Sequence, residues 1–173
     1  TKRESTKEQM FAFDVDREEI SIQIELTNED ITIKSSDNPN LTVDIENADD
    51  IDDYVVEFYD HTLNLTRKKQ NKMFSFFTSK AKNTKIIVQV PKDVLIKSLI
   101  DKHTNGDLSL KKLKTRHISL NLVNGDIELN EVTSEGLKFH IVNGDIKLQG
   151  VKSNTTYVSL VSGDLDITNS LFD

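Results

Sequence analysis

Apolar and polar residues alternate along most of this chain in short runs. Over about residues 12 to 90 the runs are Ile20-Ile22-Ile24-Leu26, Ile31-Ile33, Leu41-Val43-Ile45, Tyr54-Val56-Phe58, Leu63-Leu65 and Ile86-Val88-Val90. A period of two puts every second side chain on one face, so each run predicts a half-buried β-strand. Their spacing is irregular.

From about residue 91 onward a repeat takes over. Thr104-Asn105-Gly106-Asp107, Val123-Asn124-Gly125-Asp126, Val142-Asn143-Gly144-Asp145 and Val161-Ser162-Gly163-Asp164 place four aspartates 19 residues apart. Leu108, Ile127, Ile146 and Leu165 follow the aspartates directly, with Leu110, Leu129, Leu148 and Ile167 two positions later. A further apolar position recurs at Leu113, Val132 and Val151, and a second alternating run at Ile118-Leu120-Leu122, Leu137-Phe139-Ile141 and Thr156-Val158-Leu160. Each unit thus holds two short strands that cannot bury their apolar faces alone. Stacking equivalent strands at the usual strand spacing of about 4.8 Å makes one continuous core. The fold class this predicts is all-β, a parallel β-solenoid of 19-residue coils, right-handed because parallel crossovers are. Asn-Gly is also the strongest hairpin signal, which keeps an antiparallel sandwich or barrel as the rival. A constant period favours stacking, since it puts identical residues on successive layers.

At 173 residues the chain reads as a single all-β domain over 1–173, with the irregular strands capping or extending the solenoid. Asn28-Glu29-Asp30-Ile31-Thr32-Ile33 is a degenerate copy of the later repeat, with Glu in the Gly position. A net charge of −7 argues against nucleic acid as partner, because phosphate neutralisation needs a dominant basic face. The absence of cysteine removes disulfides, thiol catalysis and Cys-ligated metals. No run approaches the roughly 20 apolar residues that span a bilayer, and no secretory signal opens the chain. The first residue is Thr1 rather than Met, which reads as a piece cut from a longer protein and leaves the compartment unset.

The alternating strands, the segment Ile87-Val88-Gln89-Val90-Pro91-Lys92-Asp93 and the iterated Asn-Gly-Asp-Ile/Leu-x-Leu units together resemble a bacterial family of unknown function labelled "putative adhesin". The resemblance covers about residues 20 to 170. It implies an architecture similar to auto-transporter adhesin head domains and a setting in the cell envelope of Gram-positive bacteria, among Lia-type stress-response proteins. It carries over no catalytic or binding residue. Two departures stand out. Asp101 and His103 fall where later repeats carry Phe139 and Ile141, so the first turn is either shifted in register or polar inside, and Ser170-Leu171-Phe172-Asp173 stops partway through a repeat.

The turn column Asn105, Gly106, Asp107, Asn124, Gly125, Asp126, Asn143, Gly144, Asp145, Gly163 and Asp164 is the most tempting site. Stacked carboxylates could hold calcium, but Ca²⁺ takes six to eight oxygens and one Asp per turn supplies too few. The structural reading is therefore preferred: Gly at positive φ, Asn in an amide ladder, Asp accepting backbone N–H groups, with no metal and no cofactor. A second candidate is the basic-aromatic segment with Arg67, Lys68, Lys69, Lys72, Phe74, Phe76 and Phe77. The expectation is a connection folded back so that its Phe residues plug a solenoid end; lysine-flanked aromatics touching an anionic membrane or polymer are the less favoured reading. Asp44, Glu46, Asp49, Asp50, Asp52, Asp53, Glu57 and Asp60 read as a solvated acidic loop, with a cationic ligand as alternative. His61, His103, His117 and His140 lie in no metal-binding motif.

No catalytic residue is assigned. The expected function is a non-enzymatic binding or scaffold module whose partner is a protein or a cell-envelope component. A structural polymer built by end-to-end stacking and a polysaccharide-active β-helix enzyme are the alternatives. The enzyme is disfavoured because outward positions such as Ser109, Glu128, Lys147 and Asp166 change type at every turn.

Overall fold

The computed structural model describes residues 7–68 and 83–173. Their regular structure is strand, apart from one 3-10 turn at Ile51–Asp53, with no α-helix among the described residues. In chain order the strands are β1 (Gln9–Phe13), β2 (Glu19–Leu26), β3 (Asp30–Ser36), β4 (Leu41–Glu46), β5 (Tyr54–Tyr59), β6 (Thr62–Arg67) and β7 (Lys85–Pro91). There follow β8 (Leu95–Asn105), β9 (Leu108–Asn124), β10 (Ile127–Asn143), β11 (Ile146–Gln149), β12 (Lys152–Ser162), β13 (Leu165–Thr168) and β14 (Leu171–Phe172). β1 begins before the alternating region read from the sequence.

In the second half every strand pair is parallel, and the alternating apolar residues are brought into register. Leu108 pairs with Ile127, Ile127 with Ile146 and Ile146 with Leu165. On the other run Leu99 pairs with Ile118, Leu137 with Ile118, and Phe139 with both Leu120 and Val158. Two walls result, with their apolar faces turned inward on a shared core. The back wall carries β3, residues 108–111 of β9, residues 127–130 of β10, β11 and β13. The front wall carries β6, β2, β8, residues 115–124 of β9, residues 133–143 of β10, β12 and β14.

β9 and β10 pass from one wall to the other without a break, because one residue per layer absorbs the bend. Lys112 (φ 54°), Glu131 (φ 55°), Gly150 (φ 63°) and Asn169 (φ 47°) form that column. The left-handed region costs a non-glycine residue about 1–2 kcal/mol, partly balanced by the extra unfolded-state freedom of glycine. Glu131→Gly is therefore expected to raise the melting temperature by about 1–4 °C, corresponding to roughly 0.5–1 kcal/mol in a chain of this size. A lower melting temperature would contradict the bend assignment.

The N-terminal strands are layered out of chain order. β2 and β3 form the middle layer, flanked on one side by β6 and β7 and on the other by β8 and β9. Antiparallel pairing is confined to the far side, where β4 joins β7, β1 joins β4 and β5 joins β6. These strands bury Leu41, Val43 and Ile45 completely and place Phe13 against Phe58 at 5.8 Å between ring centroids. Ile22, Ile33, Leu65, Val88, Leu110, Leu129 and Phe139 line the same core without measurable exposure. Burial of each such side chain stabilises by about 1.5–3 kcal/mol.

Candidate functional site

Where the chain crosses from front to back wall, the turn column forms two hydrogen-bonded ladders. The Nδ2 of Asn105, Asn124 and Asn143 each donates at 3.0 Å to the Oδ1 of the Asn one layer before, starting at Asn28. The backbone N–H of Asp107, Asp126, Asp145 and Asp164 each donates to Oδ1 of the preceding Asp, from Asp30 onward, at 2.8–2.9 Å. One oxygen of each inner Asp is thereby committed to the backbone. Gly125 (φ 147°) and Gly144 (φ 152°) lie so close to the layer before them that a Cβ would overlap the carbonyl of Gly106 or Gly125. Among the described residues no group of three or more His, Asp or Glu side chains is placed to hold a metal.

In the β2–β3 layer Glu29 stands where later turns have glycine, and its side chain folds back into the wall. Its Oε2 accepts the backbone N–H groups of Thr27 and Asn28 at 2.9 Å, and its Oε1 accepts Tyr54 Oη–H at 2.9 Å and Arg67 Nη1–H at 3.0 Å. Four donors thus converge on one buried carboxylate, the Arg67 bond among them being charge-assisted. Burial, reinforced by the charge and hydrogen bond of Glu29, pushes the Tyr54 phenol above its ordinary pKa. Arg67 is thus a structural cation here, with Lys68 exposed beside it. Lys69, Lys72, Phe74, Phe76 and Phe77 lie outside the described residues.

The first regular layer is polar inside. Asp101 and His103 point into the core opposite Leu120 and Leu122, and a register shift between Ile20 and Ser21 accompanies them. His103 Nδ1 lies 3.1 Å from Asp101 Oδ2, and its Nε2 lies 2.7 Å from the carbonyl oxygen of Glu29. A carbonyl only accepts, so Nε2 carries a hydrogen. The contact at Nδ1 then needs a second one, on the imidazole or on the carboxyl. Burial raises the Asp101 pKa although His103 pulls against it. For His103 burial pulls down, but the hydrogen bond and charge of Asp101 outweigh it and hold the ring above its ordinary value. The pair keeps a proton in the core, and Asp101 Oδ1 has no hydrogen-bond partner among the described residues.

Two clefts of opposite character flank the turn column. On the back-wall side a cleft of about 310 Å³ is lined by Asp30, Asp107, Asp126 and Glu128. On the front-wall side a cleft of about 990 Å³ crosses several layers, between Thr66 and Lys68 at one end and His140 and Val142 at the other. Outward positions of the front wall align into columns: Thr104, Val123, Val142 and Val161; then Lys102, Asn121, His140 and Ser159; then Ile100, Ser119, Lys138 and Tyr157. These twelve positions contain no acid, in a chain with 29 Asp and Glu. They hold five of the ten large apolar side chains exposed among the described residues, including Tyr157 at 53% and Val161 at 75%. The Tyr157 ring lies 5.5 Å from that of His140. Opposite Lys102, one layer back, stands Glu25.

The family that matches this chain is Toastrack, DUF4097, over residues 19–173. The chain belongs to the Toastrack family. No curated protein matches it. Among solved structures it is similar to a putative cell adhesion protein from Clostridium sporogenes at 8% identity and TM-score 0.58, covering 96% of this chain and 97% of that one. A putative adhesin from Bacteroides fragilis is similar at 14% identity and TM-score 0.45, over 97% of both chains. The first of these likenesses shows the fold. The chain is a Toastrack domain, and its family description names no function.

The sequence picked out the turn column, and the structure gathers it into one edge between the two walls. His61, His117 and His140 are scattered over the surface, and only His140 enters the front cleft. In the acidic run Asp50 caps the 3-10 turn, its Oδ1 accepting the Asp52 N–H at 3.0 Å, and Asp53 lies 4.0 Å from Arg67. The front-wall columns went unmarked, although aligning the chain on its repeat and reading outward positions down each column would have found them.

Proposed function

We propose that the chain is one domain, a right-handed parallel β-solenoid of 19-residue coils, and that it serves as a non-enzymatic, adhesin-like binding module at the bacterial cell envelope. The observation that carries this reading is the set of twelve outward front-wall positions from β8 to β12, which gathers exposed apolar side chains, Tyr157 and His140 and holds no acid in an otherwise acidic chain, with Glu25 one layer back. A surface of that composition marks a contact site more often than a solvated wall. Support for the non-enzymatic part comes from the outward back-wall column Ser109, Glu128, Lys147 and Asp166, which presents no repeated or convergent pair of carboxylates. The names of the similar adhesion proteins agree with the envelope setting.

Cosedimentation with insoluble cell-envelope fragments of a Gram-positive bacterium tests the reading. Saturable binding to washed fragments is expected, and a protein that stays in the supernatant at all fragment concentrations would refute it. A second reading, self-association through the last layer, draws on Leu165 and Ile167. They continue the buried columns Ile146 and Leu148 but are 43% and 46% exposed. Sedimentation velocity over a concentration series separates the two, since a constant monomer excludes the polymer.

A further inference from the structure

Resting on the reading of a binding module, the side chains of the front cleft define what it would take. Three ligand classes can be compared on the same residues. Nucleic acid needs a run of cations matched to phosphates and stacking platforms for successive bases, whereas this face offers Lys68, Lys102 and Lys138 as cations, Arg67 being tied to Glu29, with a single tyrosine. A protein partner favours a dry centre rich in aromatics and poor in serine and lysine. Here the central column is Lys102, Asn121, His140 and Ser159, groups that mostly both donate and accept hydrogen bonds. That is the complement of a ligand whose hydroxyls do both as well.

We infer that the front wall, from the cleft at Lys102, Asn121 and His140 to the adjoining Lys138, Ser159 and Tyr157, binds an extended anionic polysaccharide along its columns. The His140 ring in the cleft and the Tyr157 ring beside it offer an apolar face with a polar edge to a sugar ring, and the amide of Asn121 and the hydroxyl of the adjoining Ser159 meet its hydroxyls. Lys102 and Lys138 meet its acid groups, joined by Lys68 at the cleft end, and they outnumber Glu25, the acid that lines the cleft one layer back from Lys102. Charge complementarity on this face contrasts with the net −7 of the chain, which disfavours an anionic polymer on the Asp-lined cleft across the turn. The parallel layers set outward side chains about 4.8 Å apart, so a linear polymer lying across the strands meets a different polar or aromatic group on each layer.

Affinity gel electrophoresis of the full chain tests this, with polygalacturonate as the anionic glycan, hydroxyethylcellulose as the neutral one and polyphosphate as an anion without sugar. Retardation by polygalacturonate is expected, weakened at least fivefold by Tyr157→Ala and by Lys138→Ala and unchanged by Lys147→Ala on the back wall. Both front-wall residues are exposed, and thermal melts confirm that the variants fold. No retardation, equal retardation of the Tyr157→Ala and Lys147→Ala proteins, or equal binding of polyphosphate would overturn the inference. Equal binding of hydroxyethylcellulose would overturn its anionic part. Envelope cosedimentation that survives Tyr157→Ala, with no retardation by polygalacturonate, would keep the binding module and remove the glycan.

Discussion

Gly144→Ala is expected to lower the melting temperature by about 10 °C, although it adds a single methyl group. Two costs combine. At φ 152° an L-residue is strained by about 1–3 kcal/mol. The added Cβ also overlaps the Gly125 carbonyl of the neighbouring layer, a backbone atom that cannot step aside, and overpacking of this kind costs about 1–3 kcal/mol. A chain of this length loses about 2–4 °C per kcal/mol. Gly125→Val should behave at least as badly, since its Cβ meets Gly106 in the same way. Gly136→Ala is the control: its φ is not positive, and the nearest atom is His117 Nδ1 at 3.1 Å, on a side chain free to turn. Melts of the three variants that coincide with the parent within 2 °C or so would show that the turns do not stack this closely.

The second large effect concerns the buried Asp101–His103 pair. His103→Leu alone leaves the Asp101 carboxyl without any partner in the core, and is expected to cost about 3–5 kcal/mol. Replacing both by Leu copies the next layer, where Leu120 and Leu122 occupy the paired positions. The double variant should fall within about 1–2 kcal/mol of the parent, the remaining cost being the lost hydrogen bond to the Glu29 carbonyl. The pH dependence has a definite sign. Both folded pKa values lie above their unfolded ones, so the pair's contribution is complete at low pH and declines as pH rises. The decline starts near about 3.9 for Asp101 and about 6.5 for His103 and runs up through the folded values. Between pH 6 and 9 the parent should lose more stability than the Asp101→Leu/His103→Leu protein, in which His61, His117 and His140 still titrate. Parallel pH profiles for the two proteins would rule out a retained core proton.

How legible this was in the chain depends on whether a feature is written in period or in register. Leu110, Leu129 and Leu148 declare strands by alternation alone, and the Gly-Asp turns declare themselves because only glycine fits where two backbones approach. The other bend is nearly invisible. Its column is Lys112, Glu131, Gly150 and Asn169, and two of the four residues carry no turn signature because each needs only a local φ change rather than close packing. The N-terminal strands alternate clearly, yet nothing local says that β2 and β3 lie between layers made later in the chain. The Asp101 and His103 departure was visible as a break in the apolar pattern; which acceptors satisfy His103 was not, since Glu29 reaches it from 74 residues away. The outward face of the front wall is the same kind of case. Ile100, Val123 and Tyr157 look like unrelated surface residues until the layers set them side by side.

The placement of β2 and β3 in the middle of the stack bears on how the protein is made. A nascent chain leaves the ribosome N-terminus first, so these two strands emerge with both backbone edges unpaired. One edge waits for β6 and β7, and the other for β8 and for the strand that begins at Leu108. At about 5–20 residues per second, translation from Ser36 to Lys111 takes roughly 4–15 s. Throughout that interval Ile22, Ile24, Ile31 and Ile33 belong to a half-built layer, in a fold whose long-range pairings are slow to form. β2 and β3 wait longer for their second neighbour than β9 and β10, each of which is covered by the next repeat, and this makes the β2–β3 segment the part of the described chain most in need of a chaperone.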